Sequence, residues 1–289
     1  MSTLSPLETL RGRRALVTGS SRGIGAALAE RLAAEGVAVA ISGRTLHEQD
    51  SRLGGSLEGV AARLAGHGVP VGVIVADLTD PEARAGVVAE AEEQLGGPLD
   101  ILVNNAAAAI YQPLADFPLR RRHLVFEANV HAPLDLAQAV IPGMVERGEG
   151  WIVNVSSSTA RLRPGPPFEL PPPGTAMAVY GSSKAALNRL TNGLGAELHG
   201  TGVRVNTVEP RFGVLTEGAD ALVGDVVDTS RMEAMEEMVE ATVALCRCPA
   251  DVTGEVTVSL DLLERWSLPV RGLDGAVWSS NKRLVDEER

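Results

Sequence analysis

The sequence predicts a doubly wound α/β protein, a three-layer sandwich with helices on both faces of a seven-stranded parallel sheet. Three observations predict it. Short Val/Ile-rich runs alternate with Ala/Leu-rich stretches long enough for helices, the order of a chain built from right-handed βαβ units. Most of the short runs are apolar throughout rather than alternating, as strands buried on both faces are. A glycine-rich turn directly follows the first run and opens an Ala-rich stretch.

Taken in order, the strands are expected at Ala15–Thr18, Val37–Ser42, Val69–Ala76, Leu99–Asn104, Trp151–Ser156, Val203–Val208 and Glu255–Leu260. The helices between them are expected at Gly25–Glu35, Leu57–Gly66, Pro81–Leu95, Leu119–Arg147, Met177–Leu198 and Met232–Cys246. The third helix opens on Thr79-Asp80-Pro81-Glu82. This gives an N-cap candidate, a proline in the first turn and an acid beside the helix's positive end. No repeat or linker divides the chain, so residues 1–263 read as one domain. Two segments break the rhythm. Arg161–Gly174, within an insertion spanning 160–176, holds six of the 17 prolines. It is expected as an extended surface loop, since each proline removes a donor and restricts its predecessor. The tail, 264–289, is polar and glycine-rich; its Trp266, Pro269, Val270 and Trp278 favour docking over disorder.

Composition excludes several classes. The chain has 289 residues, is 45% hydrophobic and carries a net charge of −11. That apolar fraction is too high for a disordered chain. The acidic balance argues against nucleic acid or an anionic membrane as the main partner. No apolar run approaches the roughly 18–20 residues that span a bilayer, and residues 1–14 lack the apolar core of a secretory signal. Cys246 and Cys248 are too close for a structural disulfide and supply only half of a cysteine zinc site. The five histidines show no metal-ligand spacing, so no metal is expected. A reducing, cytoplasmic setting is the expectation.

Three groups of residues carry chemistry. Thr18-Gly19-Ser20-Ser21-Arg22-Gly23-Ile24-Gly25 joins the first strand to the first helix. Glycines let backbone approach a phosphate, and a helix N-terminus supplies free N–H groups and positive potential. Tyr180 and Lys184, at i and i+4, share one helix face. A tyrosine ordinarily titrates near pH ~10, and a neighbouring ammonium favours its phenolate, which suits proton transfer near neutrality. At the end of the second strand, where NAD-specific folds place an acid for the ribose 2′-hydroxyl, stands Arg44. With Arg22 it offers two guanidinium groups to a 2′-phosphate, so NADP(H) is expected over NAD(H).

The spacing TGxxxGxG, followed by YxxxK, resembles the single-domain branch of the short-chain dehydrogenase/reductase family. Further matches fall in the family's order: Asp77 in Ala76-Asp77-Leu78, Asn104-Asn105-Ala106-Ala107, Asn129, and Ser157 in Val153-Asn154-Val155-Ser156-Ser157. The resemblance covers residues 11 to 260, nearly all of the chain before the tail. It implies a Rossmann-like fold and a ketoreductase-type oxidoreductase. Hydride would pass between a nicotinamide and a small carbonyl or secondary alcohol compound. It implies Tyr180 as general acid/base, Lys184 lowering its pKa and holding the ribose, and Ser157 orienting the substrate oxygen. Ser156 and Ser158 are the alternatives if the register shifts by one. Asn129 would bind a relay water. The cofactor would be held by Gly19, Ser21, Arg22, Gly23, Ile24, Gly25, Arg44, Asp77, Leu78, Asn105, Ala106, Tyr180, Lys184, Pro210 and Thr216. A homodimer or homotetramer is implied too, with Leu119–Arg147 and Met177–Leu198 at one interface.

The chain also departs from the family pattern. Ala107 stands where the family prefers glycine. Pro210-Arg211 replaces Pro-Gly after the sixth strand, and Thr216 comes one residue late. Ser157 and Tyr180 lie 23 residues apart, more than usual, and the proline-rich insertion fills the gap. Its prolines, Phe168 and Leu170 are expected to wall the substrate pocket, and residues 211–231 to form a lid. These departures leave room for another class of function, a dinucleotide-binding scaffold or redox sensor with weak catalysis. A sugar-nucleotide epimerase of the extended branch would need a larger C-terminal domain than follows the sixth strand.

Overall fold

The structure, a computed structural model, describes residues 7–168, 176–223 and 232–278. Seven parallel strands form one sheet: β1 Arg14–Thr18, β2 Ala38–Gly43, β3 Val71–Val75, β4 Ile101–Asn104, β5 Gly150–Val155, β6 Val203–Glu209 and β7 Val256–Val258. Their spatial order, β3-β2-β1-β4-β5-β6-β7, reverses direction beside β1. That reversal opens a crevice at the carboxyl ends of β1 and β4, where doubly wound sheets bind ligands.

The central strands alternate between two cores. Ala15, Val17, Ile101, Val103, Trp151 and Val153 face one side. There they meet α1 Gly23–Ala34, α2 Leu57–Ala65 and α9 Met235–Leu245. Leu16, Ala40, Leu102, Ile152 and Val205 face the other side. There they meet α4 Val87–Leu95, α6 Ala132–Arg147 and the end of α7 Ala178–Glu197. Both faces are dry, which explains the unbroken apolar runs. Trp151 is fully buried between the guanidinium groups of Arg13 and Arg204, 4.9 and 4.6 Å from its ring centre, and donates to the Cys248 carbonyl.

Several expected boundaries move. The helix expected at Pro81–Leu95 breaks at Gly86 into α3 Pro81–Ala85 and α4, although Asp80 caps it as anticipated. Leu119–Arg147 is α5 Leu119–Phe126, a wide π-turn at Glu127–His131, and α6. The expected last strand ends early. β7 spans three residues, and Ser259 already begins the short α10 Ser259–Trp266. The described part of the tail docks on its own domain: Trp266, Leu268, Val270 and Leu273 pack against the first core. Residues 279–289 lie outside the described residues. Among the described residues, no helix is long and apolar enough to cross a membrane.

Candidate active site

The strands' carboxyl ends open into a cleft of about 1450 Å³. That exceeds the roughly 300–1,000 Å³ of a single drug-sized site and leaves room for a dinucleotide and a substrate together. Of the residues predicted to act at the site, Gly19, Ser21, Arg22, Gly23, Ile24, Arg44, Asp77, Leu78, Asn105, Ala106, Ser157, Tyr180, Lys184, Pro210 and Thr216 line it. Gly25 and Asn129 lie behind the wall, each shaping it.

The glycine turn is built for close approach. Gly19 has φ +64°, and a Cβ there would stand 2.7 Å from the Ala106 backbone. A Cβ on Gly25 would stand 2.4 Å from both the Asn105 amide nitrogen and the Gly19 carbonyl. Asn105 Nδ2 donates to the Thr18 and Gly19 carbonyls at 2.8 and 3.1 Å, so the turn and the end of β4 are one unit. Thr18 Oγ1 accepts from the backbone N–H groups of Asn105 and Ala106. Helix α1 has no side-chain N-cap and no acid in its first turn. Its first N–H groups are therefore free to meet an anion, and the cradle fits the diphosphate of a dinucleotide. Gly25→Ala should force Asn105 from its place. We expect the melting temperature to drop by several degrees, from about 1–3 kcal/mol of overpacking, and NADPH affinity to fall at least ~10-fold. Thermal scanning with and without NADPH measures both.

Asn129 sits in the π-turn, fully buried. Its amide donates to the Ala108 carbonyl (3.1 Å) and to Ser183 Oγ (3.0 Å), and its oxygen accepts from the Ala108 N–H (2.7 Å). Ser183 in turn donates to the Tyr180 carbonyl. Both amide protons are thus spent on protein, and the side chain ties the wall after β4 to the helix that carries Tyr180. A water relay would have to use the backbone of Asn129 rather than these protons.

Tyr180 and Lys184 project from one face of α7 into the cleft, and both are buried. Ser157, at the end of β5, hydrogen-bonds the Tyr180 phenol, which selects it among the three serines. Ser156 is buried without a side-chain partner, and Ser158 donates to the Phe212 carbonyl. Lys184 Nζ donates to the Val155 carbonyl at 2.8 Å, and burial pushes its pKa down to about 8. Burial, and secondly Tyr111, push the Tyr180 phenol above its ordinary value. The opposing influence is the Ser157 hydrogen bond, with no contribution from Lys184. This departs from the expectation that Lys184 lowers the tyrosine's pKa in the free protein. Lys184 is occupied at Val155, and the phenol is desolvated.

At the far end of the cleft, Asp77 accepts from the N–H and hydroxyl of Thr79. Burial opposes its ionisation, but those bonds and Arg44 prevail and hold its pKa below the usual range. Arg44 lies 3.6 Å from the Asp77 carboxylate and is 68% exposed, so most of its fork is open to a ligand. Arg22 donates through Nη1 to Ser51 Oγ and the Gly54 carbonyl.

Beyond β6 the departures from the family pattern acquire a structure. Arg211 turns outward to Asp261 and Glu264. Its backbone N–H and that of Phe212 donate to Glu233, which also takes the Ser259 hydroxyl. The Pro210 carbonyl is held by Arg161 at 2.8 Å. Thr216 caps the short helix α8 Glu217–Val223 through Ala219 N–H. Its Cβ lies 3.4 Å from where a Gly23 Cβ would be, directly over the glycine turn. Residues 224–231 of the expected lid lie outside the described residues. The insertion reaches the cleft through Arg161 and Arg163. Phe168 does not line it, contrary to expectation. The segment turns on Gly165 and brings the Phe168 ring against that glycine. Leu170 lies outside the described residues.

The sequence motifs did not reveal two residues. Tyr111 meets Tyr180 edge-on, with ring centres 5.6 Å apart. Glu233 pins the loop after β6. Neither belongs to a spaced motif; the single hint was that the chain has only two tyrosines.

Comparison with known proteins agrees with this geometry. The family described as short chain dehydrogenase matches residues 13–225. The chain belongs to the short-chain dehydrogenase/reductase family. It is therefore an oxidoreductase that works with a nicotinamide dinucleotide. A gluconate 5-dehydrogenase of Gluconobacter oxydans is 36% identical over 262 residues, 86% of this chain and 94% of that protein. The L-xylulose reductase of Bos taurus is 32% identical, over 87% of this chain and 96% of its own. Among solved structures, a 3-oxoacyl (acyl-carrier-protein) reductase from Agrobacterium tumefaciens with NADP bound matches at TM-score 0.69. It is 31% identical and covers 86% of this chain and 93% of its own. A gluconate 5-dehydrogenase from Burkholderia cenocepacia, in complex with NADP and tartrate, matches at TM-score 0.70. It is 28% identical and covers 86% of this chain and 95% of its own.

Proposed function

We propose that this short-chain dehydrogenase/reductase uses NADP(H) to interconvert a carbonyl and a secondary alcohol, with Tyr180 as general acid/base. The observation that carries it is one cleft that joins the uncapped α1 N-terminus to the Ser157–Tyr180 hydrogen bond, with Lys184 one helical turn away. The dinucleotide, when bound, supplies or accepts the hydride at its nicotinamide. In reduction Tyr180 gives its proton to the substrate oxygen, and Ser157 fixes that oxygen by hydrogen bonding. Burial keeps the phenol protonated until that transfer. Lys184 lies beside the helix turn that carries Tyr180, where its remaining protons would meet the ribose. Gly19, Gly23 and Ile24 would cradle the diphosphate, and Asp77 and Leu78 the adenine.

NADP(H) is favoured over NAD(H) because no acid ends β2 and Arg44 offers its fork there. Both solved structures compared above carry NADP. Arg44→Ala should weaken NADPH binding by about 10- to 100-fold, the worth of a charge-assisted hydrogen bond, and change NADH binding by less than about threefold. Fluorescence titration with both nucleotides measures this; an equal loss for the two would overturn the assignment. We also read the chain as a homo-oligomer through α5–α6 and α7, since Leu119, Leu124 and Val145 stand exposed on the first pair. Light scattering on the purified chain tests it.

A further inference from the structure

The cleft holds six cationic side chains, and five of them have protein partners. Arg22 is tied to Ser51 and Gly54, Arg44 faces Asp77, and Lys184 donates to Val155. Arg161 grips Glu209 at 2.5 Å and the carbonyls of Pro210 and Arg211. Arg211 turns to Asp261 and Glu264. Arg163 is different. It is exposed, lines the cleft, and among the described residues has no carboxylate, carbonyl or ring partner. In a chain with 37 acids against 26 bases, a guanidinium that meets none of them stands where no acid has been placed. Apolar groups share the cleft wall with it, Ala108, Ile110, Met177 and Phe212 with the Tyr111 ring, beside the polar Ser156, Ser158 and Thr159.

A guanidinium with no protein partner among the described residues, on a cleft wall that is partly apolar, suits a ligand with an apolar segment and one negative charge. The fork matches carboxylate and phosphate geometry alike, and the single charge of a carboxylate is the one that a lone guanidinium neutralises. We propose that Arg163 is the substrate-anion reader of this enzyme, and that its substrate is an oxo or hydroxy carboxylic acid with an apolar chain. The role belongs to the proline-rich insertion, which carries Arg163 to the cleft while Arg161, two residues earlier, anchors the insertion to the end of β6. The inference rests on the oxidoreductase reading, since it places the reacting oxygen at Ser157 and Tyr180.

The test uses the full chain saturated with NADPH. Straight-chain methyl-ketone carboxylic acids of increasing length, from laevulinic acid upward, are compared with their methyl esters. Calorimetry gives dissociation constants, and NADPH oxidation gives kcat/KM. The acid of best length should bind about 10- to 100-fold more tightly than its ester. Arg163→Gln should erase that preference and leave NADPH affinity, melting temperature and turnover of the ester unchanged. Arg163→Lys should retain part of it. Equal binding of acid and ester, failure of every acid to bind, or a preference that survives in Arg163→Gln would each overturn the inference. Failure of NADPH itself to bind, seen in the first titration, would instead strike the underlying reading.

Discussion

Tyr180→Phe should lower kcat/KM for carbonyl reduction by about 10²- to 10⁴-fold, the usual contribution of a positioned proton donor. NADPH affinity should change by less than about tenfold, because at most one hydrogen bond to the nucleotide is lost. The reason lies in what the phenol is surrounded by. Tyr180 is buried, its pKa is driven up by desolvation and by Tyr111, and its hydroxyl is aimed at Ser157. The proton is thus held at a fixed place and has one useful destination, a substrate oxygen that enters beside Ser157. Phenylalanine keeps the ring and its edge-on contact with Tyr111 while removing that proton. Tyr111→Phe is the matched control, since it removes the other tyrosine hydroxyl, and its activity should stay within a few-fold of wild type. Turnover in Tyr180→Phe comparable to wild type would show that the acid is elsewhere. Absence of carbonyl turnover in the wild type, with NADPH still bound, would favour the scaffold or redox-sensor alternative.

The parts of this site that were legible in sequence are those fixed by local backbone geometry. Gly19 and Gly25 could be placed because a tight turn and a close approach admit no side chain, and Tyr180 and Lys184 because a helix turn sets their spacing. The succession of strands and helices followed from the alternation of apolar runs, whereas the spatial order of the strands came only with the structure. What sequence could not give was partnership across the fold. Whether Lys184 meets Tyr180 or the Val155 carbonyl depends on how α7 lies on β5. Whether Arg161, Arg163 or Arg211 is free depends on where Glu209, Asp261 and Glu264 come to rest. Arg211, which stands where the family has glycine, lines the cleft, and Asp261 and Glu264 of α10 hold its guanidinium. The end of β7 was misplaced because Val256 through Leu260 is too short an apolar run to separate strand from helix.

Lys184 shows what the site costs the fold, and Lys184→Met should make that visible. The residue is 2% exposed, and burial pushes its pKa down to about 8 from an ordinary 10.5. Below about pH 8 the folded chain carries a desolvated charge, a penalty of about 3 kcal/mol by the size of that shift. Between pH ~8 and ~10.5 the unfolded chain binds a proton that the folded chain does not, so this group's contribution makes stability rise with pH across that window. Methionine fills a similar volume without charge but forfeits the bond to the Val155 carbonyl, worth about 1–2 kcal/mol. At pH ~6–7 the relief of the buried charge outweighs the lost bond, and the variant should melt a few degrees above wild type. At pH ~10 the wild-type lysine is largely neutral and still hydrogen-bonded, so the order should reverse. Carbonyl reduction should meanwhile fall by about 10²-fold or more, because the group that would hold the ribose, and with it the nicotinamide, in place beside Tyr180 is gone. Thermal scanning across this pH range decides it. A constant destabilisation of Lys184→Met at every pH would mean that the buried ammonium is solvated from the cleft and carries no such penalty.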